Sequence, residues 1–252
     1  MRIPSRFARV IATTLFAAPI FVVPLARAEP PIQQITAVPA ADSSKADAVS
    51  EAKRRARTRL RLDDGSQESV VSVNDETQAR GLQAVVLNRF TPDEDSLPLT
   101  IDAVSILFPK TCAVGDTGLR RGMEFEVVVY LDPDATEDPA NATLAVRQGF
   151  EIRPSDTKFQ TIRLDTPVVV ERGDVWVGYT NSVTSTDDRV IFHAALDRSS
   201  SRGRSWLFYN SSSSFTGTVL DAAQYRQRID EQGIPGNWLI RARGTTGASG
   251  AR

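Results

Sequence analysis

A single histidine, His193, and a single cysteine, Cys112, restrict what this chain can catalyse. Nucleophilic hydrolysis couples a hydroxyl or thiol to a nearby base, most often histidine, which a third group orients. His193 stands in Val190-Ile191-Phe192-His193-Ala194. In such a β-branched and aromatic run it reads as a structural residue of a strand. The nucleophile elbow G-x-S-x-G does not occur; Gly247-Ala248-Ser249-Gly250 has the wrong spacing and lies near the chain end. One His and one Cys do not make a tetrahedral zinc site. Cys112, in Pro109-Lys110-Thr111-Cys112-Ala113-Val114-Gly115, has no adjacent His or basic cluster to activate a thiolate. Phosphate loops and dinucleotide fingerprints are missing as well. The expectation is a protein that is not an enzyme. The alternative is a carboxylate-based glycan hydrolase, whose two acids meet only in space and leave no local motif.

Two other groups of residues could bind rather than react. Asp132-Pro133-Asp134-Ala135-Thr136-Glu137-Asp138 gathers carboxylates in one loop, and Ca²⁺ takes six to eight oxygens. Asp132, Asp134, Glu137 and Asp138 are therefore the candidate ligands for a structural Ca²⁺. No other cofactor is expected. The loop is not an EF-hand, since Glu137 replaces its glycine and Thr143 its bidentate glutamate; a solvated acidic turn is the competing reading. Aromatic side chains can serve as flat platforms for sugar rings, and Trp176, Trp206 and Tyr209 are the candidates, with Tyr130, Tyr179 and Trp238 in similar runs. Strand parity separates them. If Val175, Val177 and Tyr179 face a core, Trp176 faces the opposite side and needs a covering segment or a ligand. Arg172-Gly173-Asp174 spells an integrin-type tripeptide, but glycine and aspartate are what a tight turn selects.

These residues lie within short apolar runs and polar turns, centred on Thr166 to Tyr179. There Val168-Val169-Val170 and Val175-Trp176-Val177-Gly178-Tyr179 flank Arg172-Gly173, the pattern of a β-hairpin. Further strands are expected at Thr58 to Leu62, Ser69 to Val73, Gly81 to Phe90, Thr100 to Phe108 and Glu124 to Leu131. Ala142 to Gln148, Lys158 to Leu164, Arg189 to Leu196, Ser205 to Tyr209 and Asn237 to Ala242 complete the series. About ten strands without intervening helices imply an all-β fold, a two-sheet antiparallel β-sandwich of jelly-roll type. Val219 to Gln232 interrupts the series with helical spacing of Leu220, Ala223 and Gln227, which predicts a short surface helix.

The flanks read differently. Arg2, Arg6 and Arg9, the apolar Val10 to Val23 and the small-x-small Ala26-Arg27-Ala28 have the layout of a signal peptide over residues 1–28. The apolar stretch falls short of the roughly 20 residues of a bilayer span. Residues 29–57 read as a disordered linker, 58–244 as the sandwich domain and 245–252 as a flexible tail. The signal carries four arginines and no acids, so its removal takes the formal charge from −1 to −5 (26 basic, 31 acidic). That balance argues against a nucleic-acid partner, and no second long apolar run predicts a membrane span. The expected location is secreted or periplasmic.

Several pieces occur in order: Asp63-Asp64-Gly65-Ser66-x-Glu68, Arg89-Phe90-Thr91-Pro92, Pro167-Val168-Val169-Val170, Gly173-Asp174-Val175-Trp176-Val177-Gly178-Tyr179, Leu196-Asp197, Gly203-Arg204-Ser205-Trp206 and Gly236-Asn237-Trp238-Leu239-Ile240-Arg241-Ala242. Together they resemble a β-sandwich accessory module of secreted bacterial proteins, of the kind appended to exported peptidases and other extracellular enzymes. The resemblance spans about residues 60 to 244 and implies a non-catalytic role with no catalytic residues to carry over. The extra Val219 to Gln232 stretch departs from that pattern. The function expected is an exported binding module for an extracellular protein or glycan. A structural cell-envelope protein is a further alternative.

Overall fold

The computed structural model describes residues 57–73, 83–110, 119–181, 192–210 and 225–247. The signal peptide and linker, Cys112, and the first part of the expected helix lie outside these residues. The described chain forms thirteen strands and three short 3₁₀ turns. In chain order the strands are β1 (Arg57–Leu60), β2 (Ser69–Val73), β3 (Gln83–Phe90), β4 (Leu99–Ile106), β5 (Glu124–Asp132), β6 (Thr143–Glu151) and β7 (Gln160–Val170). They continue with β8 (Asp174–Asn181), β9 (Phe192–Asp197), β10 (Ser205–Asn210), β11 (Tyr225–Arg228), β12 (Asn237–Trp238) and β13 (Ile240–Thr246).

All paired strands run antiparallel. The large sheet has the order β11-β10-β3-β8-β5-β6, and the smaller sheets are β1-β13-β4-β7 and β12-β9-β2. The two small sheets meet where β12 runs into β13: the Leu239 N–H donates to Ala195 O, and the Leu107 N–H to Leu239 O. The main core lies between this pair and the large sheet. Val86, Val127, Val129, Val175, Val177, Tyr179 and Leu207 come from the large sheet. Leu99, Ile101, Val104, Ile106, Leu196, Trp238, Ile240 and Ala242 face them. The expected sandwich is therefore present, with more strands than the ten anticipated. These sheet orders do not by themselves define a jelly roll.

The described part of the expected helix, from Tyr225 to Gln232, is not α-helical. Tyr225 to Arg228 pairs with β10 as an edge strand, Trp206 opposite Arg228 and Phe208 opposite Arg226. A 3₁₀ turn over Ile229–Gln232 follows and ends at Gly233 with φ +72°. Tertiary pairing has overridden a weak helical periodicity: Gln227 faces Leu207 across a ladder, and Ile229 is buried in the core.

Two glycines have a steric reason. Gly173 occupies the β7–β8 turn at φ +74°, and a Cβ there would stand 2.3 Å from Asp132 O. Gly178, mid-strand in β8, would put a Cβ 1.8 Å from Val86 O and 2.7 Å from Leu87 Cδ2. Gly149 in β6 has nothing within 4 Å of such an atom. Gly178→Ala should therefore destabilise the fold by about 1–3 kcal/mol or more, because backbone and not a pliable side chain must move. Gly149→Ala should be close to neutral. Urea melts of the two variants check this, and equal midpoints would refute it.

Candidate functional site

The large sheet is apolar on both faces, so strand alternation yields two clusters. On β8, Val175, Val177 and Tyr179 enter the main core, while Trp176 joins Val85, Leu87, Val128, Tyr130, Ala142 and Phe208 on the opposite face. Trp176 does face away from the main core, and its indole is covered. Trp176 is 0% exposed, so it offers no surface to a ligand and the platform reading is corrected at that position. Trp206 remains half-buried. It meets Trp176 edge-on at 5.6 Å and lies nearly parallel to Phe208, the planes 15° apart and the centroids 6.1 Å apart. Its carbonyl accepts the Trp238 indole N–H at 2.9 Å, which ties β10 to the core behind it. Tyr209 follows on β10, opposite Ala84 and Tyr225, and its side chain lies outside what the structure describes. The platform set thus reduces to Trp206 among the described side chains.

The acidic loop between β5 and β6 is directed at this same face. Register brings Arg89 opposite Trp176, and Trp176 opposite Tyr130. The Arg89 guanidinium lies 5.9 Å from the Trp176 ring centroid. Its Nη2 stands 2.9 Å from Glu137 Oε1 and its Nη1 3.4 Å from Asp174 Oδ2. The second contact has the distance of an ion pair without hydrogen-bond alignment, since Nη1 and Nε are buried with no hydrogen-bond partner. Asp138 reaches Arg226 on β11 at 3.6 Å, and its Oδ1 also accepts the Ala140 N–H. Asp134 pairs with Arg172 at 3.1 Å. The buried Asp132 carboxylate accepts from the backbone and hydroxyl of Thr136. Of the four carboxylates expected to surround Ca²⁺, Asp134, Glu137 and Asp138 thus each meet a different arginine, and the buried Asp132 meets Thr136. Those arginines come from β3, the β7–β8 turn and β11. Glu137 is acidified by the hydrogen bond from Arg89 and then by that residue's charge.

A groove of about 200 Å³ opens beside this loop, lined by Arg89, Glu137, Gly203, Trp206, Arg228 and Glu231. β3 supplies Arg89, β10 Trp206 and β11 Arg228, while Glu137 comes from the acidic loop and Glu231 from the 3₁₀ turn. Arg228 and Glu231 pair across the turn at 2.5 Å. The floor is a buried planar cation beside tryptophan, and the rim carries both signs of charge. Each groove carboxylate is paired with an arginine, Glu137 with Arg89 and Glu231 with Arg228.

A second acidic group was hidden from sequence reasoning. One carboxylate oxygen each from Asp64, Glu68 and Asp197 lies within 4.8 Å of the others. Such a trio could contribute three of the oxygens a hard cation takes. Here these groups organise a loop. Asp197 accepts from the Asp64 N–H and from the backbone and hydroxyl of Ser199, and Glu68 accepts from the Arg198 N–H. Ser66 donates to Asp64 through both its N–H and hydroxyl, and its hydroxyl also contacts Glu68. Next to it the buried Asp63 holds Arg241 through Nε and Nη2, and the Arg241 guanidinium stacks 3.9 Å over Phe159. The signal in the sequence was Asp63-Asp64-Gly65-Ser66-x-Glu68 itself, but its partners lie 133 and 178 residues away.

The remaining candidates are structural. His193 is buried on β9, and its carbonyl accepts from the Tyr179 hydroxyl at 3.1 Å, while burial pushes the Tyr179 phenol far up. Asp174 of the Arg-Gly-Asp tripeptide is 2% exposed and accepts from the Thr91 hydroxyl, so a receptor could not reach it.

The Ser66 hydroxyl and then its backbone N–H hold the Asp64 carboxyl below its ordinary range. A carboxyl lowered in the folded state contributes stability above its unfolded pKa, and that contribution disappears as pH falls through the folded value. Ser66→Ala should move the Asp64 pKa back toward the ordinary range and diminish this acid-side loss. Carboxyl-carbon NMR titration reads the shift; an unchanged Asp64 midpoint would reject the hydroxyl as its cause.

Comparison with protein-family models, with curated proteins and with solved structures gives no match, so the likeness to secreted accessory modules rests on the residue pattern alone.

Proposed function

We propose that this chain is an exported, non-catalytic β-sandwich module that binds an extracellular partner, glycan or protein, in the groove beside Trp206. The observation that carries the reading is the groove itself. A half-buried tryptophan stands there with a buried arginine and paired rim charges, on the outer face of a rigid sheet. Trp and Arg dominate binding hot spots because they combine large area with directional contacts, and a sheet holds both without ordering cost. The volume is below the roughly 300–1,000 Å³ of pockets that enclose a drug-sized molecule. It suits one sugar ring or one side chain of a larger partner. A location outside the cytoplasm belongs to the same proposal and is supported by the layout of residues 1–28.

Glycan hydrolysis is the second reading, because Glu137 and Glu231 both line the groove. A general acid needs a raised pKa, whereas Arg89 lowers that of Glu137. The charge arrangement favours holding a ligand over cleaving it. Retention of a partner from culture medium on the immobilised protein, beside a glycan array, tests the reading. Trp206→Ala should weaken retention by about 30-fold, the loss of one tryptophan hot spot. Arg228→Ala, at a partly exposed side chain, should weaken it with an unchanged melting temperature. Folded variants that both retain full binding would sink the proposal.

A further inference from the structure

The contact between Arg89 and Glu137 is asymmetric. The Arg89 side chain is 8% exposed and that of Glu137 is 68% exposed. Glu137 also sits in the left-handed region at φ +60°, two residues after Ala135 at φ +48°. Non-glycine residues reach that region at a cost of roughly 1–2 kcal/mol each. A mostly solvated glutamate on a strained backbone thus provides the outer carboxylate of a buried arginine. On the inner side Asp174 is 2% exposed and fixed by Thr91. Arg89 therefore keeps one permanent counter-charge and one that can be exchanged. Its Nη2 is the nitrogen that meets the exposed carboxylate, while Nη1 and Nε are buried, and a guanidinium N–H donates to a carboxylate of any origin.

Resting on the groove reading above, we propose that the ligand is an acidic glycan. A uronic-acid carboxylate displaces Glu137 from Arg89 while its sugar ring lies against Trp206. Two features favour a sugar acid over an acidic peptide. Trp206 lines the same groove and supplies an apolar flat surface for the ring's C–H face. Glu231, also on the rim, can accept hydroxyl hydrogens, which a uronate carries beside its carboxylate. A sugar acid offers both features on one rigid ring, its apolar C–H face beside its carboxylate and hydroxyls, whereas an aspartate or glutamate side chain has no such face. Glu137 then acts as an intramolecular competitor that keeps Arg89 paired until ligand arrives.

The test uses the mature chain, trigalacturonate, its methyl ester and a neutral cello-oligosaccharide of equal length, with affinities from calorimetry. Glu137→Gln removes the competing charge at an exposed position, and its melting temperature confirms folding. Trigalacturonate should bind the parent and bind Glu137→Gln about tenfold more tightly, the worth of one charge-assisted contact. The ester and the neutral sugar should gain nothing from the substitution. Equal binding of acid and ester, or no tightening in Glu137→Gln, overturns the carboxylate exchange while leaving sugar binding in the groove intact. Failure of all three sugars to bind either form also overturns it, and the retention experiment with Trp206→Ala then judges the groove separately.

Discussion

A sheet that is apolar on both faces must be covered twice, and the rest of this structure follows from that constraint. The inner face of the large sheet is covered by the two smaller sheets, the ordinary arrangement of a sandwich. Its outer face carries Val85, Leu87, Val128, Tyr130, Trp176 and Phe208, all fully buried. Exposure of such a surface would make it an association site. The acidic loop between β5 and β6 provides part of the cover: Ala142 packs into the cluster, and Glu137 and Asp138 anchor to arginines of β3 and β11. The loop's charge is thus the means by which a polar segment is fastened across an apolar face.

Alternation made much of this legible. The period-two pattern in β8 is sufficient to assign Val175, Val177 and Tyr179 to one side and Trp176 to the other, and the clusters divide that way. Nothing local in Asp132 to Asp138 signals that three of its carboxylates meet arginines. That pairing depends on Arg89, Arg172 and Arg226 arriving from three other elements. Likewise, the helix expected before the closing strand rested on the spacing of a few residues, a weak preference that a neighbouring edge such as β10 overrides. The loop bound by Asp197 and Arg241 was visible as a turn but not as a junction, because a pairing across more than a hundred residues leaves no periodicity to read.

That junction fixes the other layer. Arg241 lies on β13 and Asp63 on the connection between β1 and β2, so their contact holds the link between the two small sheets to a strand of the first. Asp197, at the end of β9, completes the attachment through the Asp64 N–H. Asp63 is buried and Arg241 has Phe159 on its face, which means that removal of either partner would leave a poorly solvated charge. Breaking such a pair costs about 3–5 kcal/mol, whereas an exposed pair contributes about 1 kcal/mol or less. Of the ion pairs described, this one and Arg89–Asp174 hold buried carboxylates; Arg172–Asp134 and Arg228–Glu231 are open to water.

The same distinction decides how the groove can work without loss of the fold. A buried arginine with one carboxylate would be left uncompensated whenever that carboxylate moved. Arg89 has two, of opposite accessibility, and the inaccessible Asp174 stays in place through Thr91, which Arg204 in turn contacts at 2.8 Å. Exchange at the outer position therefore replaces one carboxylate by another against a background that remains neutralised. The cation is held by the sheet, and its outer partner is held only by a loop. Under the proposed carboxylate exchange, the one exposed side chain that must give way is Glu137.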